Sequence, residues 1–142
     1  MPTYAGGVSR STQIRMAVIG AGSWGTTVAA IASVNTPTVL WARRDELVDQ
    51  INTARVNPEY LPSFTLPDQL RATASMGEAV ADADVLVMAV PSHGFREIAC
   101  QVEPHLRPWV PVVSLAKGIE PGTLKRMTEV AAEVMPGRPV GL

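Results

Sequence analysis

Three glycines, Gly20, Gly22 and Gly25, have the spacing in this sequence that most directly suggests chemistry. They form G-x-G-x-x-G between an apolar, strand-like stretch, residues 14–19, and a run of small and apolar residues, 26–32. Gly20 is expected to permit a tight turn, Gly22 to let a pyrophosphate approach the backbone, and Gly25 to let helix and strand pack closely. The N–H groups of the first helical turn would point at that anion. The pattern therefore predicts a dinucleotide-binding turn.

Two side chains in this turn, Ser23 and Trp24, occupy the part that would face the phosphates. We interpret both as cofactor contacts, with Trp24 shielding the pyrophosphate. The alternative is that Ser23 fills the turn and Trp24 is a half-buried aromatic side chain.

The second predicted strand, residues 38–41, is followed by Arg43 and Arg44. In a dinucleotide fold this point lies beside the adenosine ribose, where an acidic residue binds a free 2′-hydroxyl and an arginine suits a 2′-phosphate. One charge-assisted pair, worth roughly 1.5–3 kcal/mol, favours NADP(H) over NAD(H) by about ten- to a hundredfold. We therefore predict that NADPH is preferred. NAD remains the second candidate for two reasons. Asp45 follows the arginines directly, and two solvent-exposed arginines are also tolerated at the start of a helix without any role in binding.

Two further groups follow predicted strands. Pro91, with Ser92 and His93 after it, follows the continuous apolar run 84–90, which is typical of a strand buried in the middle of a parallel sheet. Lys117 follows the next predicted strand. Ligands bind at the carboxyl ends of such strands, so Pro91 would form a wall of the cofactor pocket and Lys117 would donate to a substrate oxygen. The alternatives are that residues 91–93 form an ordinary turn between strand and helix, and that Lys117 is a surface lysine.

The order of the predicted elements indicates an α/β protein of the Rossmann type, with a doubly wound, mostly parallel sheet. Further strands are predicted near residues 70–73, 110–116 and 138–142. A helix from about Asp45 is predicted to present Ala54 on its apolar face, and a helix after residue 123 to present Leu124. Cys100 is interpreted as a core thiol rather than a nucleophile.

Size and composition limit the possible functions. The 142 residues suffice for one domain, interpreted as residues 14–142, with residues 1–13 as a flexible leader. A net charge of −1 without a basic run disfavours nucleic acid or an anionic membrane as partner. The apolar runs are too short to span a bilayer, and the single Cys100 suggests a cytoplasmic location. No metal site is predicted, because His93 and His105 have no partners at ligand spacing.

Five blocks, in this order, carry a resemblance to a known family: Gly20-Ala21-Gly22-Ser23-Trp24-Gly25; Val39-Leu40-Trp41-Ala42-Arg43; Ile51-Asn52 with Asn57-Pro58-Glu59-Tyr60-Leu61-Pro62; Ala89-Val90-Pro91-Ser92-His93; and Ala116-Lys117-Gly118-Ile119-Glu120. With these blocks, residues 14–142 resemble the bacterial NAD(P)-dependent glycerol-3-phosphate dehydrogenases.

The resemblance implies reversible hydride transfer between NAD(P)H and dihydroxyacetone phosphate, which gives sn-glycerol 3-phosphate, a precursor of phospholipids. It also implies that Ser23, Trp24 and Arg43, together with Arg44, contact the cofactor. Lys117 would lie between cofactor and substrate. A homodimer is a further expectation for the full-length enzyme.

Family members continue into a Ser-Gly-Pro block and a mostly helical second domain, which carries the lysine thought to act as general acid/base. Because this sequence ends at Leu142, we interpret it as the cofactor-binding half, inactive alone and without a catalytic residue of its own. The alternatives are a non-catalytic module that senses NAD(P)H, and another two-domain reductase that acts on a different keto or hydroxy acid.

Overall fold

The structure is a computed structural model that describes residues 13–142, so the predicted leader lies outside the described residues except for Gln13. Six strands and five α-helices alternate along residues 13–142. The strands are β1 Met16–Ile19, β2 Thr38–Trp41, β3 Arg71–Thr73, β4 Val85–Met88, β5 Val112–Ser114 and β6 Val140–Gly141. The helices are α1 Ser23–Asn35, α2 Asp45–Asp49, α3 Met76–Val80, α4 Phe95–Val102 and α5 Met127–Val134.

The six strands form one sheet in the order β3-β2-β1-β4-β5-β6, and every neighbouring pair is parallel. This is the strand order of a doubly wound dinucleotide-binding fold, so the predicted fold class is confirmed, and the sheet is wholly parallel. β1 pairs with β2 on one side and β4 on the other, Ile19 lying opposite Trp41 and Met88. The chain reverses its winding direction here, and the reversal leaves a crevice outside the carboxyl ends of these strands.

The sheet separates two apolar cores, because successive side chains of a strand point to opposite faces. On one face, Ile19 of β1 belongs to the core that contains Phe95 of α4 and Met127 of α5. On the other face, Val18 belongs to the core that contains Ala29 of α1 and Leu47 of α2. A parallel sheet that is covered on both faces requires apolar residues at nearly every position, as β4 shows.

Local sequence explains several element ends. The Ser75 hydroxyl accepts a hydrogen bond from the Glu78 N–H and caps α3. The Glu78 carboxylate accepts a hydrogen bond from the Thr73 hydroxyl. Pro111 lies immediately before β5, where its missing N–H costs no ladder hydrogen bond.

Three sequence predictions about individual side chains are wrong. α2 continues into a π-helical turn, Gln50–Ala54, whose wider turn leaves Ala54 exposed rather than on the apolar face. Leu124 lies outside α5 in a turn with φ of +60°, and 71% of it is exposed. Cys100 is exposed rather than a core thiol, since it follows the buried Ala99 and points about 100° away from it around the helix.

No helix among residues 13–142 is both long enough and apolar enough to cross a membrane.

Candidate functional site

A cleft of about 980 Å³ opens along the carboxyl edge of the sheet, at the point where the winding reverses. Its volume is at the upper end of the range for small-molecule and cofactor sites. The residues that follow β1, β2, β4 and β5 all contribute to its lining. The predicted site residues found in this lining are Gly20, Gly22, Ser23, Trp24, Arg43, Arg44, Pro91 and Lys117. The fold therefore brings together side chains that are up to 97 positions apart in the sequence.

The three glycines of the turn meet three different constraints. Gly20 has a φ of +113°, and an added Cβ would lie 2.7 Å from the carbonyl oxygen of Ala89. A Cβ on Gly25 would lie 1.8 Å from the carbonyl oxygen of Gly20, so this glycine lets α1 pack against the turn. A Cβ on Gly22 would meet nothing within 4 Å. The cleft therefore has open space beside Gly22. Gly25 does not line the cleft, and its role is in the packing of α1.

The N-terminus of α1 begins at this open position. Gly22 is the N-cap residue, no side chain among residues 13–142 caps the helix, and its first turn has no acidic residue. The first N–H groups of a helix have no partner within the helix, and they carry the positive end of its dipole. Ser23 and Trp24 line the cleft, and 69% of Trp24 is exposed, so the core does not use this indole. This arrangement suits an anion such as a pyrophosphate.

A buried amide holds the glycine turn from the side. Asn57 is fully buried, and its amide nitrogen donates to the carbonyl oxygen of Ala21 and to the hydroxyl of Thr26, both at 2.9 Å. Its amide oxygen accepts from the N–H of Tyr60, and its carbonyl oxygen accepts from the N–H of Leu61. The segment from Asn57 to Leu61, here called the 57–61 turn, is thus attached to the glycine turn.

Asn57 lies within one of the five family blocks, but no role in the site was predicted for it. An asparagine before a proline signals a turn, since its side chain can bond to nearby backbone. That signal predicts local hydrogen bonds only. The two bonds to Ala21 and Thr26 depend on a contact across more than 30 residues.

The two arginines after β2 lie at the same edge of the sheet but differ in their partners. Both are exposed, and both line the cleft. The Arg44 guanidinium forms an ion pair of 2.5 Å with the carboxylate of Glu59 in the 57–61 turn. Within residues 13–142, Arg43 forms no ion pair. Of these two arginines, Arg43 is thus the one that is available to an anionic ligand.

Lys117 lies at the carboxyl end of β5, where it is exposed and lines the cleft together with Pro91. The next residue, Gly118, has a φ of +98°, a conformation that side chains disfavour. A Cβ on Gly118 would lie 3.6 Å from the hydroxyl oxygen of Ser92, so the segments after β4 and β5 run close together. Pro91 and Lys117 therefore lie at one edge of the sheet.

An ionic network anchors the segment after Lys117. Arg96 of α4 donates two hydrogen bonds to the carboxylate of Glu120, of 2.7 and 2.9 Å, and a third, of 3.0 Å, to Glu133 of α5. The Arg96 guanidinium and the Thr123 hydroxyl lower the pKa of the Glu120 carboxyl to about 2. The Glu120 and Glu133 carboxylates raise the pKa of Arg96 in return. Sequence reasoning missed this network, because single charged residues on different elements form no local pattern.

Within the described residues, no group of three or more His, Cys, Asp and Glu side chains could hold a metal ion.

Similarity to known proteins identifies the family of this chain. The sequence model of the NAD-dependent glycerol-3-phosphate dehydrogenase N-terminus matches residues 15–142. The chain is 55% identical over 130 residues to glycerol-3-phosphate dehydrogenase (NAD(P)+) 2 of Sphingopyxis alaskensis, a match that covers 92% of this chain and 39% of that protein. It is 50% identical over 129 residues to glycerol-3-phosphate dehydrogenase (NAD(P)+) of Mycobacterium avium, with 90% and 38% covered.

Among solved structures, the chain resembles glycerol-3-phosphate dehydrogenase from Coxiella burnetii, with a TM-score of 0.83 and 27% identity over 90% of this chain and 39% of that one. The chain thus spans about two fifths of the length of these relatives. Strand order, glycine turn and family match agree, and this chain belongs to the family of the NAD-dependent glycerol-3-phosphate dehydrogenase N-terminus.

Proposed function

We propose that this chain is the cofactor-binding half of an enzyme that reduces dihydroxyacetone phosphate to sn-glycerol 3-phosphate with NAD(P)H. The observation that carries the proposal is the open backbone at Gly22, in a large cleft at the carboxyl edge of the sheet. Relatives that bear the name of this activity are more than twice as long as this chain, which supports a second domain in the complete enzyme. We place the general acid/base lysine in that domain.

The described residues fit a dinucleotide. The pyrophosphate would lie against Gly22 and the uncapped start of α1, beside Ser23 and Trp24. The adenosine ribose would lie at the end of β2, where Arg43 is free to contact a 2′-phosphate. We therefore propose that NADPH binds more tightly than NADH, and that Arg43 contributes more to this preference than Arg44, which is already paired with Glu59.

The reacting end of the cofactor would lie toward Pro91 and Lys117, across the cleft from Arg43. When bound, the nicotinamide supplies the hydride. Reduction of a ketone builds negative charge on its oxygen, and a cationic donor within hydrogen-bond reach stabilises that charge. Lys117 is exposed to the cleft, and the Arg96–Glu120 pair holds the segment that follows it. We propose that Lys117 binds and polarises the substrate.

The test is a steady-state assay of the full-length protein with NADPH and dihydroxyacetone phosphate, run beside ketopantoate and other keto acids. We expect turnover of the triose phosphate to exceed that of each keto acid. Preference for a keto acid would assign the protein to another class of reductase, and cofactor binding without turnover of any of them would favour a sensing module.

A variant of Lys117 tests its place in the site. We expect Lys117→Ala to lower kcat/KM for dihydroxyacetone phosphate by about 10²–10³, because one charge-stabilising donor is typically worth that much. Lys125→Ala removes a lysine that lies outside the cleft lining, and it serves as the control. If kcat/KM of Lys117→Ala equalled that of this control, Lys117 would be a surface lysine without a role in the site.

We also propose a cytoplasmic location, because a single cysteine cannot form an internal disulfide. A homodimer of the full-length protein is proposed on the family resemblance alone.

A further inference from the structure

The 57–61 turn forms the wall of the cleft that faces the end of β2. Glu59 and Tyr60 of this turn line the cleft together with Arg43 and Arg44. The turn is held at two points: the buried side chain of Asn57 attaches it to the glycine turn, and the Glu59 carboxylate attaches it to Arg44. The position of Glu59 is therefore set by the same contacts that shape the phosphate site.

The negative charge of Glu59 disfavours an anionic ligand that the positive charges of Arg43 and Arg44 would attract. At 2.5 Å, the Glu59 carboxylate lies against the Arg44 guanidinium and balances the positive charge that a phosphate would otherwise meet. A 2′-phosphate near this pair would have to compete with the carboxylate for Arg44 and would also be repelled by its charge. The side chains of Arg44 and Glu59 are 52% and 48% exposed, so a ligand in the cleft can reach both.

We propose that Glu59 is a specificity-determining residue, which restrains the preference for NADPH by holding Arg44 in an ion pair. Arg43 then discriminates between the two cofactors with little help from Arg44, and the protein accepts NADH as well as NADPH. This inference rests on the proposed binding of a nicotinamide dinucleotide in the cleft.

The first test measures the dissociation constants of NADPH and NADH for the full-length protein by fluorescence titration at low salt. Glu59→Gln removes the charge but keeps the shape, and Glu59 is half exposed, so we expect the fold to tolerate the change. The affinity ratio of NADPH over NADH should rise about tenfold, since one charge-assisted contact of Arg44 is gained. Glu46→Gln removes a carboxylate from the first turn of α2, outside the cleft lining, and should leave the ratio unchanged.

The second test asks whether the effect passes through Arg44. In the double variant Glu59→Gln with Arg44→Gln, the gain should disappear. An unchanged ratio in Glu59→Gln would overturn the inference, and so would a gain that persists without Arg44, because Glu59 would then act on the ligand directly. If the unsubstituted protein bound neither nucleotide, the proposed function itself would fail. If it bound both, and Glu59→Gln left the affinity ratio unaltered, only the inference about Glu59 would fail.

Discussion

At the scale of single residues, the glycine turn shows why a shared residue type does not mean a shared role. Gly20 is required by its left-handed backbone, and Gly25 by the contact of α1 with the turn. Gly22 has an ordinary φ of −74° and free space beside it, so nothing within the described fold demands a glycine there. The proposed approach of a pyrophosphate to the backbone would account for a glycine at this position, and the difference between the glycines can be tested.

We predict opposite outcomes for Gly22→Ser and Gly25→Ala. Serine is a favourable N-cap residue, so Gly22→Ser should leave the free energy of unfolding unchanged or slightly raised. Its side chain would occupy the space of the pyrophosphate, and affinity for both cofactors should fall at least about tenfold, since that contact is charge-assisted. Gly25→Ala should instead lower the free energy of unfolding by about 1–3 kcal/mol, because α1 must shift.

Urea denaturation and cofactor titration measure these two quantities. Loss of stability without loss of affinity in Gly22→Ser would show that this glycine serves the fold rather than the ligand.

The second prediction at this scale concerns Arg43. Arg43→Ala should weaken NADPH binding by about ten- to a hundredfold, because one charge-assisted contact with the 2′-phosphate is lost. NADH, which lacks that phosphate, should bind nearly as before. Arg71→Ala is the matched control, since Arg71 is an exposed arginine at the start of β3, on the opposite edge of the sheet. Equal weakening of both cofactors by Arg43→Ala would contradict the assignment.

At the scale of elements, a few polar contacts position segments that have no regular structure of their own. The 57–61 turn depends on Asn57, and the segment after Lys117 depends on the pair of Arg96 and Glu120. Apolar burial alone does not determine the placement of such segments, because it is not directional. Hydrogen bonds to a buried group are directional, and they are costly to leave unmade.

We predict that Asn57→Ala affects both stability and binding. The variant leaves the Thr26 hydroxyl and the Ala21 carbonyl without this donor, which should lower the free energy of unfolding by about 1–3 kcal/mol. It also releases the glycine turn, so affinity for NADPH and NADH should fall by similar factors. Asn52→Ala is the control, because Asn52 makes two comparable bonds to Ala72 of β3, outside the cleft lining.

The control should lose stability while keeping its cofactor affinity. If both variants bound the cofactors as tightly as the parent protein, the 57–61 turn would have no part in shaping the site.

At the scale of the whole molecule, the charged pairs connect elements that are distant in the sequence. Asp84 accepts from the N–H of Arg15 and from the guanidinium of Arg107, and these bonds lower its pKa. Glu120, Glu129 and Glu133 also have lowered pKa values, through hydrogen bonds to basic residues or to backbone N–H groups. A carboxyl whose pKa is lower in the folded state stabilises the fold above its ordinary pKa and loses that contribution on protonation.

The free energy of unfolding should therefore fall as the pH drops from about 4.5 toward 2, the interval between the ordinary and the folded pKa of Glu120. Glu120→Gln removes one of the responsible carboxyls, and its stability should depend less steeply on pH in this interval. Chemical denaturation at a series of pH values measures the slope. Glu97→Gln, at an exposed helix position, is the control. Identical slopes for Glu120→Gln and the parent protein would show that the Arg96 pair contributes nothing to acid stability.

The elements and the edge of the sheet where the cleft lies can be predicted from the sequence alone. The apolar run of β4 predicts a central strand, the glycine spacing predicts the turn after β1, and parallel strands bring Arg43, Pro91 and Lys117 to one edge by geometry alone. These inferences succeed because periodicity, turn chemistry and the direction of parallel strands act locally or follow from the fold class.

Which side chains meet across the fold cannot be predicted in this way. The attachment of Asn57 to the glycine turn and the pairing of Arg44 with Glu59 depend on where irregular segments lie in space. The same reason explains the wrong predictions: helix periodicity placed Ala54 and Leu124 on apolar faces, but a π-helical turn and a left-handed residue altered the local path. The path of such a segment depends on contacts with residues far away in the chain, and a single sequence contains no direct signal of those contacts.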